Sequence, residues 1–118
     1  MPSEAVEQRA LFEWAAFASA SMPELELLYH IPNGGYRNKA EAANLKRQGV
    51  KAGVPDLCLP VARKGFNGLY IELKAGKNKA SNNQEKWINS LTAEGYLAVI
   101  CHGWNEAAQL LKNYLQGA

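Results

Sequence analysis

Between Leu69 and Lys74 the chain reads LYIELK, an apolar run that charge interrupts twice. In an extended strand side chains alternate, so Glu72 and Lys74 project to one face while Ile71 and Leu73 project to the other. Two opposite charges therefore share a side and have apolar residues behind them. Upstream, Gly53-Val54-Pro55-Asp56 leads into a second apolar run, Asp56 to Val61, and Arg63-Lys64-Gly65-Phe66-Asn67-Gly68 has the composition of a hairpin connection. With the two strands antiparallel and the turn near the midpoint, Asp56 and Glu72 meet across sixteen positions (72 minus 56). Pro60 then marks an edge or bulge at the far end.

An Asp, a Glu and a Lys converging from paired strands suit divalent-metal hydrolysis. Hard cations such as Mg²⁺ or Mn²⁺ take oxygen ligands, keep several waters and use one or two carboxylates together with substrate phosphate. Asp56 and Glu72 meet that requirement, and the Lys74 ammonium stands ready to orient a nucleophile or stabilise developing charge. For an isolated Glu-x-Lys the competing reading is an exposed ion pair on a hairpin.

Four blocks occur in order: Ile31-Pro32-Asn33-Gly34-Gly35, Gly49-Val50-Lys51-Ala52-Gly53-Val54-Pro55-Asp56-Leu57, Ile71-Glu72-Leu73-Lys74 and Gln84-Glu85-Lys86-Trp87. Pro55-Asp56 followed by Glu72-Leu73-Lys74 resembles the PD-(D/E)xK nuclease superfamily, and the four blocks together resemble the stand-alone phage and bacterial type of the virus-type replication-repair nuclease (VRR-NUC) family. The resemblance covers nearly the whole chain. It implies an α/β fold with a PD-(D/E)xK restriction-endonuclease-like core, a central mixed sheet flanked by helices. It also implies a Leu73 carbonyl ligand beside Asp56 and Glu72, a supporting glutamine at Gln84, and an acidic residue from the first helix. Glu7 fits that last position, because its neighbours one turn on are Ala10 and Leu11 and a carboxylate on an apolar face needs a partner or a metal. Glu4 competes for the role, and Glu7 also reads as a plain first-turn partner of the helix dipole.

The 118 residues indicate one domain, and 47% hydrophobic content supports a globular one. Thirteen Lys and Arg against 11 Asp and Glu give a net charge of +2, too weak to announce a nucleic-acid partner by itself. Cys58 and Cys101 lie in separate apolar runs without metal-ligand spacing and read as buried free thiols of a reducing compartment. Neither a bilayer-spanning segment nor a secretion signal is visible, so a cytoplasmic location in a bacterial or phage-infected cell is expected. The run after Lys74 lacks the second glycine and Lys-Ser/Thr of a nucleotide-binding P-loop, which excludes a nucleotide cofactor of that type.

Along the chain the patterns predict elements in the order α-β-α-β-β-α-β-α. A helix from about Ser3 to Ala20 is capped by Ser3 and turns Val6, Ala10, Leu11, Trp14, Phe17 and Ala18 inward. Leu25 to Ile31 reads as a buried strand. Asn38 to Gln48 reads as a helix with Ala42, Ala43 and Leu45 inward and Gly49 at its end. Ser81 caps a helix from Asn82 to Glu94 whose Gln84, Trp87, Ile88 and Leu91 share a face. Tyr96 to Cys101 forms the last strand, and Asn105 is expected to cap a helix ending near Leu115. His30 and His102 each end an apolar strand without zinc-site spacing to a Cys or carboxylate.

Candidate DNA contacts are Asn33 and Arg37 in the Pro32–Gly35 region, the basic set Lys39, Lys46, Arg47 and Lys51, and Lys77 and Lys79 after the Glu-x-Lys strand. An ordinary Asn-Gly-Gly turn and a solvated helix face explain the first two groups equally well. The VRR-NUC resemblance implies a Mg²⁺- or Mn²⁺-dependent endonuclease acting as a homodimer on branched DNA such as Holliday junctions. A restriction-type or nicking PD-(D/E)xK enzyme, or a noncatalytic DNA-binding module, are the alternatives.

Overall fold

The structure, a computed structural model, describes residues 3–32 and 38–117. Four strands form one mixed sheet in the order β1 (Tyr29–His30), β2 (Leu57–Leu59), β3 (Leu69–Lys74) and β4 (Leu97–His102). The first two pairings are antiparallel and β3–β4 is parallel. A two-residue turn at Lys64-Gly65, both with positive φ (56° and 84°), reverses the chain between β2 and β3. Positive φ at both central positions matches the twist of a hairpin. Leu57 faces Ile71 across the pair, so continuing the register one step sets Asp56 opposite Glu72.

The two faces of the sheet differ. Leu57, Leu59, Leu69, Ile71, Leu73 and Cys101 point to one side and form the core with Leu11, Ala15 and Ala18 of α1 (Glu4–Ala18) and Ala107, Ala108, Leu111 and Tyr114 of α4 (Trp104–Gln116). Tyr70, Glu72 and Lys74 alternate to the other side, which α3 (Asn82–Ala93) partly covers against β4. No helix among the described residues is long and apolar enough to cross a membrane.

Several expectations are corrected. The run Leu25–Ile31 is no buried strand: Pro23–Leu27 forms a 3₁₀ turn, with Leu25 and Leu28 buried three residues apart, and only the exposed Tyr29–His30 pair with the sheet. Pro23 pre-sets the turn, and i→i+3 bonds from the Leu25 and Leu28 amides complete it. In α1 the buried stripe is Leu11, Ala15 and Ala18, so Phe17, 84% exposed, and Val6 point outward rather than in.

The helix α2 (Lys39–Arg47) buries nothing fully; Ala42 and Ala43 are exposed and Leu45 is half-buried. Two alanines and a leucine supply too little apolar area to draw it onto the sheet. Its ends hold it instead. Asn38 caps the Glu41 amide at 2.7 Å, and the Gly49 and Val50 amides close a Schellman motif onto Lys46 and Leu45. Asn105 is not the cap of α4, which starts one residue earlier after Gly103.

Candidate active site

Asp56, Glu72, Lys74 and Gln84 come together on the face away from the main core. Asp56 sits where the chain enters β2, and its Oδ2 accepts the Leu73 amide at 2.8 Å. A carboxylate oxygen thus takes a main-chain proton of the neighbouring strand and fixes the side chain beside Glu72. The Asp56 carbonyl is held from the other side by the Ile31 amide at 2.6 Å and by His30 Nδ1 at 3.0 Å.

Glu72 is 1% exposed. Its Oε2 accepts Gln84 Nε2 at 3.0 Å and faces Lys74 Nζ at 3.5 Å. Its Oε1 is buried without a hydrogen-bond partner. Burial above all, then the Asp56 carboxylate and its hydrogen bond, push the Glu72 carboxyl up to about 8, and Lys74 pulls against them. Beside a second carboxyl group, the orphaned buried oxygen of Glu72 is an acceptor that either a proton or a cation would satisfy.

Gln84 is fixed at both ends of its amide. Oε1 accepts the Ser81 amide at 2.8 Å while Ser81 Oγ accepts the Gln84 amide at 3.2 Å, a capping box that starts α3. The same residue therefore begins the helix and aims a donor at Glu72. The loop before Asp56 is seated on this helix start: Gly53 has φ +93°, and a Cβ there would lie 2.7 Å from the Asn83 backbone carbon and oxygen. Gly53→Ala is expected to cost about 2–4 kcal/mol through strained φ and that clash, a drop of roughly 10 °C in the melting temperature. An unchanged thermal unfolding curve would remove this loop from the site's support.

Glu7 is held at the start of α4. Its Oε1 accepts the Trp104 amide at 2.8 Å, so a carboxylate from the first turn of α1 caps α4. The two anchor points are close in the fold, since the Gly103 amide donates to the Lys74 carbonyl at the end of β3. Among the described residues no three His, Cys, Asp or Glu side chains are grouped as a metal-binding cluster. Asp56 and Glu72 therefore stand as a pair. The competing Glu4 is exposed at the start of α1.

Lys39, Lys46, Arg47 and Lys51 are all exposed, on or just after α2, and Lys77 and Lys79 are exposed in the connection from β3 to α3. Asn33 and Arg37 lie outside the described residues. At the hairpin tip Arg63 is committed to Glu24 at 2.8 Å. Cys58 and Cys101 are buried and free. Sequence spacing did not reveal that His30 of β1 and the following Ile31 pin the Asp56 backbone, because nothing local links His30 to a residue 26 positions away.

The family model for the VRR-NUC domain matches residues 4–105. A solved structure named VRR_NUC domain protein superposes with a TM-score of 0.83 at 31% sequence identity, covering 98% of this chain and 90% of that one. Among curated proteins none matches the chain.

Proposed function

The chain belongs to the VRR-NUC domain family, a nuclease family, and we propose that it is a metal-dependent endodeoxyribonuclease centred on Asp56, Glu72 and Lys74. The observation that carries this reading is the buried, unpartnered Oε1 of Glu72 next to a second carboxylate and a lysine. Such a donor set fits Mg²⁺ or Mn²⁺, which need few protein ligands when substrate phosphate and water supply the rest.

In this proposal Asp56 and Glu72 hold the cation, with the Leu73 carbonyl as the backbone oxygen between them in the pattern. A cation held there would supply polarisation of a phosphoryl oxygen and a water acidic enough to act as nucleophile near neutral pH. Gln84 keeps Glu72 Oε2 occupied, so that Oε1 remains the oxygen available to the ion. Lys74 orients the attacking water and stabilises the charge that grows on the phosphate. Glu7 acts as a positioning residue: by capping α4 it fixes the Gly103 amide on the strand end that carries Lys74.

Exposed Lys39, Lys46, Arg47, Lys51, Lys77 and Lys79 contact DNA phosphates, and Asn33 and Arg37 join them on sequence grounds. One centre per chain, set against the two symmetric cuts that resolve a four-way junction, supports a homodimer on branched DNA. The test is cleavage of a labelled four-way junction and a matched linear duplex in Mg²⁺, Mn²⁺ and EDTA. Junction-selective scission lost in EDTA is the expected result. Equal cutting of both substrates removes the junction claim, and binding without scission in either metal overturns the enzyme reading.

A further inference from the structure

The parallel pairing of β3 with β4 places Ile100 beside Glu72 and His102 beside Lys74. Paired residues share a face, so these two side chains extend the catalytic face one strand outward, about 5 Å from the carboxylates. There they line an open groove of about 450 Å³. Ile100 is its apolar floor. The segment Gly76–Ala80, which leaves the end of β3, forms one wall, and Glu85 in the first turn of α3 forms the other. The volume lies in the range of small-ligand sites, roughly 300–1,000 Å³.

The polar groups suit one kind of occupant. His102 Nδ1 lies 3.0 Å from the Gly76 carbonyl, and a carbonyl oxygen only accepts, so Nδ1 carries a proton there and Nε2 is left for an occupant of the groove. Asn78 adds an amide with both donor and acceptor atoms, and Lys77 and Lys79 stand on the rim as exposed cations. An apolar floor takes the face of a base, the wall groups take its edge, and the rim lysines take the phosphates on either side. A base offers its face and its edge together only when it has left the stack, so these groups suit an unpaired nucleotide rather than a base pair.

We infer that this groove receives one unpaired nucleotide of the DNA, one or two positions from the scissile phosphate. The spacing follows from the one-strand offset, since the roughly 5 Å between neighbouring strands is of the order of one nucleotide step along a DNA strand. The inference rests on the nuclease reading for its DNA substrate. It adds that the enzyme prefers DNA in which a base next to the cut has left the stack, for which unstacking costs least at a bulge, gap or mismatch.

The experiment uses the full chain with two duplexes, one fully paired and one carrying a single bulged 2-aminopurine, in Ca²⁺ in place of Mg²⁺ so that binding is read without scission. Wild type is expected to bind the bulged duplex at least tenfold more tightly and to change the 2-aminopurine emission. Ala80→Trp, which fills the groove from its loop wall, is expected to abolish both effects and to leave paired-duplex binding unchanged. His102→Ala serves as a second variant that leaves the core untouched and should weaken the preference several-fold. Equal binding of the two duplexes by wild type, or a bulge preference that survives Ala80→Trp, overturns the inference. Failure of the nuclease reading has a separate signature, absence of scission of any duplex in Mg²⁺ or Mn²⁺.

Discussion

Lys74→Met is expected to lower kcat/KM for DNA cleavage by about 10²–10³-fold, the usual effect of removing one preorganised group that stabilises transition-state charge. Lys74 is 8% exposed and its Nζ lies 3.5 Å from Glu72 Oε2. A surface lysine that merely paired with a carboxylate would contribute little to either rate or stability. Methionine keeps most of the aliphatic volume, so the fold is retained and the loss falls on kcat. Initial rates on a labelled substrate, with DNA binding measured in parallel, separate the two readings. Activity within tenfold of wild type would show that Lys74 does not act on the reacting phosphate.

The second large effect concerns stability and has a definite pH window. Glu72 ionises near 4.5 in an unfolded chain and near 8 in the folded one, because burial and the Asp56 charge disfavour the anion. A carboxyl raised in this way contributes most to stability below about 4.5; the unfolded chain then sheds its proton while the folded chain keeps it. Stability therefore falls as pH rises from 4.5 to 8 and levels off above. Glu72→Gln copies the protonated form at all pH values.

The metal-free variant should match wild type near pH 4.5 and exceed it by a few kcal/mol at pH 8, on the order of 10 °C in melting temperature. It should cut no DNA. Mg²⁺ should stabilise wild type by mass action, about 2.7 kcal/mol at a hundred times its Kd, and leave the variant unmoved. A melting difference that does not change with pH would place Glu72 in a far more polar setting than the fold gives it. Stability and activity thus make opposite demands on one side chain.

What the sequence made legible was chiefly what local chemistry decides. Alternation in LYIELK placed Glu72 and Lys74 on one face, and the Lys64-Gly65 turn set the register that brings Asp56 opposite Glu72. Ser81 and Gln84 carried the capping box in their spacing, although the same spacing did not disclose that the Gln84 amide spans from the helix start to Glu72. The 3₁₀ turn at Pro23–Leu27 was hidden because an apolar run of that length suits either a buried strand or a turn that buries every third residue. The exposure of α2 was hidden for a different reason: two alanines mark a helix by propensity but do not say whether any surface is free to receive them. The start of α4 escaped because its cap comes from Glu7, 97 positions away.

The carboxylate-to-amide bond from Asp56 to Leu73 also ties assembly to correctness. A slip of one residue between β2 and β3 would exchange the faces of an entire strand, turning Leu73 outward and Glu72 toward Leu11 and Leu111. A slip of one residue thus loses the apolar interior and the acidic pair together. A chain mispaired by one step is consequently an inert one, and on the nuclease reading activity serves as a proofread record that the hairpin closed in step.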